Sequence, residues 1–156
     1  MSKSLARVRA ALEAAGVPAE IREMDASTRT AEEAAAAVGC ALDQIVKSIV
    51  FQGQGSGHVR LFLTAGGNRI CADKAARLAG EPLGRADAAL VRAETGFAIG
   101  GVAPVGHLTP VPAWLDPRLQ DFEVVWAAAG TPRHVFAIDP DALVRITGAT
   151  VADFTL

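Results

Sequence analysis

Three short segments of the chain carry residues that could bind or transform a ligand. Lys47 interrupts the apolar run 42–51, where an ammonium group cannot be buried alone without a large desolvation cost. Gly100 and Gly101 follow a short apolar stretch, and amides without neighbouring Cβ atoms could bind a carbonyl oxygen as it becomes an oxyanion. His134 follows a stretch of small residues and could orient a polar group of a substrate.

Each segment also has an ordinary structural interpretation. Lys47 could extend from a sheet edge to water, with its methylene stem packed on apolar neighbours. Gly100 and Gly101 could form a bulge and turn that Pro104 stiffens. His134 could be a partly buried residue with one hydrogen bond. The residue types alone do not choose between these interpretations.

Several common catalytic motifs are missing. The glycines of segment 53–57 do not form GxGxxG, because position 58 is His58, and no GxxxxGK[ST] motif occurs. Ser56 lacks the flanking glycines of a GxSxG nucleophile. The three histidines, His58, His107 and His134, are far apart in the sequence and form no HExxH motif. The sequence therefore predicts no phosphate-binding glycine loop, no serine nucleophile and no metal site.

Composition limits the class of protein. A length of 156 residues predicts one domain over residues 1–156, and 51% apolar residues exclude a disordered chain. Lys and Arg number 15 against 17 Asp and Glu, so the formal charge of −2 excludes a broadly basic nucleic-acid coat. The sequence has neither an apolar run of about 18 residues nor the apolar core of a secretory signal. Cys40 and Cys71 are far apart, so we expect a cytoplasmic location, without disulfides or a membrane.

Helical and strand patterns are mixed along the chain, which predicts an α/β domain. Helices are predicted over 4–15, from the Thr30–Glu33 capping box to Gly39, and over 72–79, 86–94 and 140–147. Strands are predicted over 19–24, the second half of 42–51, 59–63, 97–99, 122–127 and 135–138. Three prolines predict that residues 108–118 form an extended loop or an edge strand.

Three segments in this order resemble the YbaK-type aminoacyl-tRNA editing domain, a family related to the editing insertion of bacterial prolyl-tRNA synthetases. They are 30–39, 44–51 with its Ile-Val-Lys sequence, and 96–107 with Gly-Gly-x-x-Pro-x-Gly. Either of the last two motifs alone would be weak, but their order and separation are specific. The likeness extends over roughly residues 4–148.

The resemblance implies a fold, a reaction and a set of site residues. The implied fold is a single mixed α+β domain whose mixed β-sheet forms a partly open barrel with surrounding helices. The implied reaction is hydrolysis of a small amino acid wrongly esterified to a tRNA, usually proline tRNA. It would use water and the neighbouring ribose hydroxyl, without a metal, a cofactor or a covalent intermediate. The implied catalytic residues are Lys47, Gly100 and Gly101, and the implied substrate-binding residues are Val102, Pro104, Ala128, Gly130 and His134.

One departure from the family pattern bears on the substrate. Members that act on cysteine usually have a Ser-x-Gly-Lys-Arg stretch, where this chain has Ala128 and then Gly130. A small apolar pocket would favour alanine or a slightly larger aliphatic amino acid over cysteine, although single methylenes are discriminated by only about 1–3 kcal/mol.

The expected partners are the acceptor end of a mischarged tRNA and, as a second candidate, a prolyl-tRNA synthetase. Five basic residues could form a local rim for tRNA phosphates, or could be solvated helix faces: Arg69, Lys74, Arg77, Arg85 and Arg92. Two other functions are kept as alternatives. One is a module that binds aminoacyl-tRNA or a synthetase without catalysis, and the other is a metal-dependent hydrolase of small molecules.

Overall fold

The computed structural model describes residues 2–25 and 28–156. Its α-helices are α1 (Lys3–Ala14), α2 (Ala31–Val38), α3 (Ala72–Ala79), α4 (Ala88–Thr95) and α5 (Pro140–Thr147). Its strands are β1 (Ile21–Glu23), β2 (Val46–Gly53), β3 (Val59–Ala65), β4 (Leu83–Arg85), β5 (Ala113–Leu115), β6 (Val125–Ala128), β7 (His134–Ile138) and β8 (Thr150–Val151). Two short 3₁₀ segments precede β2 and follow β5, at Leu42–Gln44 and Pro117–Asp121.

Helix α2 begins and ends at local sequence signals. The Thr30 hydroxyl accepts a hydrogen bond from the Glu33 amide, and the Glu33 carboxylate accepts one from the Thr30 amide. Gly39 ends the helix in the left-handed conformation, with φ of 75°. These caps hold an eight-residue helix that is too short to be stable alone.

The strands form two sheets. In the first, the strand order is β4-β2-β3-β5-β8; β2 is antiparallel to β3 and β4, whereas β5 is parallel to β3 and β8. The second sheet is antiparallel, with the order β1-β7-β6. One isolated parallel bridge, Ile45 to Trp126, joins them. The mixed α/β fold is thus confirmed, but the strands form two sheets that do not close into a barrel.

The main core lies between the two sheets. Val46, Leu61 and Leu63 from the first sheet pack in one buried cluster with Val125 and Phe136 from the second. Burial of such aliphatic and aromatic side chains is the main stabilising contribution to the fold. In the part of the chain that the structure covers, no helix has the length and apolar character needed to cross a lipid bilayer.

Two of the predicted strands differ from the structure. Residues 97–99 form no strand, because Phe97 is fully buried in the core and residues 98–101 close a turn. Strand β5 lies inside its sheet, between β3 and β8, and not at an edge. The prolines flank Ala113–Leu115 and do not interrupt it, so the strand keeps its amides for pairing.

Candidate active site

A cavity of about 380 Å³ lies where the two sheets meet. It is lined by the first half of β2, the N-terminal turn of α2, strands β6 and β7, and the turn that follows α4. This volume is within the range of small-ligand sites. The cavity is therefore formed by segments that are distant in the sequence.

Lys47 lines this cavity. Its side chain is half-buried, and Nζ donates a hydrogen bond to the carbonyl oxygen of Asn68 at 2.6 Å. Burial lowers the pKa of the Lys47 ammonium, and Arg69 lowers it further, whereas the carboxylate of Glu32 is the largest influence in the opposite direction. An ammonium has three donor hydrogens, so this group can bind a ligand while it keeps its bond to Asn68.

Gly100 lines the same cavity from the turn after α4. The Gly101 amide donates to the Ala98 carbonyl oxygen at 3.0 Å, and Gly100 has φ of 89°. A four-residue turn with positive φ at its third position favours glycine there. The Gly101 amide is therefore engaged within the turn. Within the described residues the amides of Gly100 and Val102 have no acceptor, and both residues line the cavity.

The wall opposite β2 is made of small apolar residues. Ala128 on β6 and Val135 on β7 are cross-strand partners, and both line the cavity. Val102 is 3% exposed, and Ala31 and Ala34 complete this wall from α2. Such a surface accepts a short aliphatic group and offers it no hydrogen-bonding side chain.

Ser48 is a cavity residue that the sequence analysis did not single out. Its Oγ is buried and, among the residues that the structure describes, has no hydrogen-bond partner. A buried hydroxyl without a partner costs free energy, and such groups need an explanation in a folded protein. The sequence does offer one signal for Ser48, because it is a polar residue next to Lys47 in the apolar run 42–51.

Three of the implied substrate-binding residues lie outside the cavity lining. Pro104 is buried and borders a different cavity, beside His107. Gly130 has φ of 94°, and a Cβ there would lie 2.9 Å from the Phe97 ring, so close packing accounts for this glycine. The Nδ1 atom of His134 lies 2.6 Å from the hydroxyl of Thr131 in the β6–β7 turn.

Gly101 and the β6–β7 turn are nevertheless neighbours. A Cβ at Gly101 would lie 3.9 Å from both the Gly130 carbonyl oxygen and the Thr131 carbonyl carbon. The Thr131–His134 pair therefore lies behind the turn that carries Gly100, and not in the wall of the cavity.

The cavity lining supplies two basic side chains, Lys47 and Arg29, the carboxylate of Glu32, a buried hydroxyl, a small apolar wall and two amides that have no acceptor among the described residues. In the described part of the chain, no three His, Cys, Asp or Glu side chains cluster as metal ligands would. Such a set of groups can bind a short acyl group and stabilise negative charge on its oxygen.

Comparison with known proteins identifies relatives over most of the chain. The sequence profile of the family described as "Aminoacyl-tRNA editing domain" matches residues 25–146. YwhH of Bacillus subtilis, which is uncharacterized, is 31% identical over 132 residues, or 85% of this chain and 83% of YwhH. EbsC of Enterococcus faecalis is 26% identical over 81% of this chain and 77% of its own; its provisional assignment is a Cys-tRNA(Pro)/Cys-tRNA(Cys) deacylase.

Solved structures also match this chain over its whole length, and one of them has a functional description. It is provisionally described as a trans-editing enzyme for prolyl-tRNA synthetase, and it is 52% identical with a TM-score of 0.92. The match covers 100% of this chain and 99% of that one.

Proposed function

This chain belongs to the family of aminoacyl-tRNA editing domains, a family of deacylases, and from that premise we propose that it hydrolyses a small mischarged amino acid from proline tRNA. The preferred amino acid in this proposal is alanine or a similarly small aliphatic residue, ahead of cysteine. The observation that carries the proposal is that Lys47 and Gly100 line one cavity with a small apolar wall.

The proposed reaction needs charge stabilisation more than a strong nucleophile. Water attacks the ester carbonyl carbon, and the carbonyl oxygen becomes an oxyanion. When the oxyanion returns to a carbonyl, the bond to the ribose oxygen breaks, and that oxygen takes up the proton that the attacking water loses. The Lys47 ammonium and the Gly100 amide are the donors proposed for the oxyanion, and the Val102 amide is a further candidate donor. Half-burial of Lys47 strengthens this interaction because fewer water molecules screen it.

A contact between Lys47 and the ester carbonyl is favoured over a contact with a phosphate. Glu32 lines the same cavity, and its negative charge raises the pKa of Lys47. A phosphate placed beside this carboxylate would be repelled more strongly than the weaker charge of a developing oxyanion. The proposal therefore places the tRNA phosphates outside the cavity.

The proposed specificity rests on the small wall residues. Ala128 and Val135 leave space for a short side chain and present no hydroxyl or carboxylate to it. Because a hydrophobic pocket discriminates a methylene by only about 1–3 kcal/mol, activity on 2-aminobutyryl-tRNA is expected beside activity on alanyl-tRNA.

Binding of tRNA is proposed to depend on basic residues beyond the cavity. Arg69 is exposed and close enough to Lys47 to lower its pKa. Arg77, Arg85 and Arg92 are also exposed, whereas Lys74 is paired with Asp153 at 2.8 Å. With a net charge of −2, the chain is expected to bind only the acceptor end, and weakly.

The decisive experiment is a deacylation panel. Proline tRNA charged with alanine, 2-aminobutyrate, cysteine, serine or threonine is mixed with the protein, and release of each amino acid is measured. The expected order is alanine and 2-aminobutyrate first, with cysteine slower. Stable binding of these tRNAs without release of any amino acid would instead establish a non-catalytic module, and fastest release of cysteine would overturn the proposed specificity.

A further inference from the structure

Lys47 is oriented by a turn of which only one residue, Gly66, lines the cavity. Residues 65–68 form this turn, closed by a hydrogen bond of 2.9 Å from the Asn68 amide to the Ala65 carbonyl oxygen. The Asn68 carbonyl oxygen at its end accepts the bond from Lys47 Nζ. The direction of that carbonyl therefore helps to fix where the ammonium lies.

A buried carboxylate holds both ends of this turn. Asp116 is only 2% exposed, and its Oδ2 accepts hydrogen bonds from the Ala65 amide at 3.1 Å and from Asn68 Nδ2 at 2.9 Å. Its Oδ1 accepts the Arg118 amide at 3.0 Å. A buried charge is tolerated only when such bonds compensate for its desolvation. Asp116 is thus bonded on both oxygens, and two of its three bonds go to the turn.

A second carboxylate holds the middle of the turn. The Gly67 amide donates to Asp43 Oδ1 at 2.8 Å, and Asp43 Oδ2 accepts Arg118 Nε at 3.0 Å. Arg118 therefore connects the two carboxylates. A Cβ at Gly66 would overlap the Leu42 carbonyl oxygen, so the turn fits its surroundings only with glycine there. A Cβ at Gly67 would push the Asp43 carboxylate away from the Gly67 amide.

From these contacts we infer that Asp116 is a positioning residue for Lys47, acting through the side chain and carbonyl group of Asn68. The effect of this positioning on catalysis rests on the proposed function. Asp116 itself is not among the residues that line the cavity. Its negative charge also favours the protonated form of Lys47, the form that can donate to an oxyanion.

The test is a double-mutant cycle between Asn68→Ala and Lys47→Ala. Asn68→Ala removes the bond to Asp116 but keeps the backbone carbonyl and changes no charge. We expect this variant to lower kcat for deacylation about tenfold with little change in KM, and to have no further effect when Lys47 is already alanine. Thr147→Ala, which removes a side-chain bond to Leu143 at the end of α5, is the control and should leave kcat unchanged.

A second measurement does not depend on activity. The chain has three lysines, Lys3, Lys47 and Lys74, so lysine labelled with ¹³C and ¹⁵N gives side-chain NMR signals that can be assigned by substitution. In Asn68→Ala the Lys47 signals should move towards those of exposed Lys3. In Asp116→Asn the titration midpoint of Lys47 should fall, because a nearby negative charge is removed.

The two measurements separate the inference from the proposed function. If the wild-type protein releases no amino acid, the proposed function fails, and the NMR signals still decide whether Asp116 positions Lys47. If activity is present but the two substitutions are additive, or the Lys47 signals do not move, the inference is overturned. If Asn68→Ala does not fold, Asn68→Ser, which is polar but too short to reach Asp116, takes its place.

Discussion

Lys47 on β2 and Gly100 in the turn after α4 line one cavity, although β3, α3, β4 and α4 lie between them in the sequence. Two backbone features keep them there. The Ala65–Asn68 turn accepts the Lys47 ammonium, and the turn at residues 98–101 requires a positive φ at Gly100. A cation held by one turn and an amide carried by another form a site that needs little rearrangement when charge develops on a bound acyl oxygen.

Loss of the Lys47 ammonium should nearly abolish deacylation. For Lys47→Ala we expect kcat/KM to fall about 100-fold or more, the range observed when one oxyanion-stabilising group is removed. Lys47→Arg keeps the charge but replaces a compact ammonium by a planar guanidinium, so it should recover only part of the loss. Single-turnover deacylation of alanyl-tRNA measures both variants. Unchanged hydrolysis in Lys47→Ala would remove this residue from the reaction.

Gly100 and Gly101 should respond differently to substitution by alanine. Gly100 has φ of 89° and open space around its Cβ position, so Gly100→Ala should cost about 1–2 kcal/mol from backbone strain alone and should lower activity. Gly101 has no positive φ, and its Cβ would make ordinary contacts from 3.7 Å. Gly101→Ala should therefore not destabilise the protein, and could stabilise it by about 0.4–1 kcal/mol, because alanine restricts the unfolded chain. Urea unfolding of both variants checks this, and equal losses would contradict it.

Ser48→Ala should affect the stability of the protein and its activity differently. Because the Ser48 hydroxyl is buried without a partner among the described residues, its removal should leave the free energy of unfolding unchanged or raise it by about 1 kcal/mol. If the hydroxyl binds the substrate, KM should rise several-fold. Thermal unfolding and steady-state deacylation are the two measurements. A clear loss of stability would show that the hydroxyl has a structural partner.

His107 should make the protein less stable in weak acid. Burial lowers its pKa below the ordinary value of 6.5, while its bond to the Ala103 carbonyl opposes this shift. As the pH falls through this region, the unfolded chain binds a proton before the folded one does, so the free energy of unfolding decreases. Above the ordinary value, both states are neutral at this residue and the effect is absent.

The substitution His107→Gln tests that interpretation, because glutamine can still donate to a carbonyl but does not titrate. The difference in unfolding free energy between about pH 7.5 and about pH 5.5 should be smaller in this variant than in the wild-type protein. An equal pH dependence in the two proteins would assign the acid sensitivity to other groups.

Local signals in the sequence predict much of this fold. The Thr30 capping box fixes the start of α2, and Asp139 followed by Pro140 fixes the start of α5. Strands β4 and β8 were not predicted, because two or three residues are too few for an alternating pattern. Residues 97–99 were predicted as a strand because apolar residues alone do not reveal that Phe97 points into the core beside a turn.

The candidate site was predictable only in part. The oddity of a lysine in an apolar run points to Lys47, and adjacent glycines point to Gly100. No sequence pattern points to Asp116 or Asn68, because their roles depend on contacts between residues that are distant in the chain. The engagement of the Gly101 amide with Ala98 likewise depends on how one turn closes, which residue types do not reveal.

The isolated bridge from Ile45 to Trp126 joins the two sheets at the cavity that both of them line. The distance between the cavity walls therefore depends on packing in the core behind them, where Leu63 of the first sheet lies in one buried cluster with Val125 and Phe136 of the second. A slightly bulkier or smaller side chain at this seam would tilt one sheet against the other and resize the cavity without altering any of its lining. Substrate range in this architecture can consequently evolve from inside the protein, at positions that no bound amino acid ever touches.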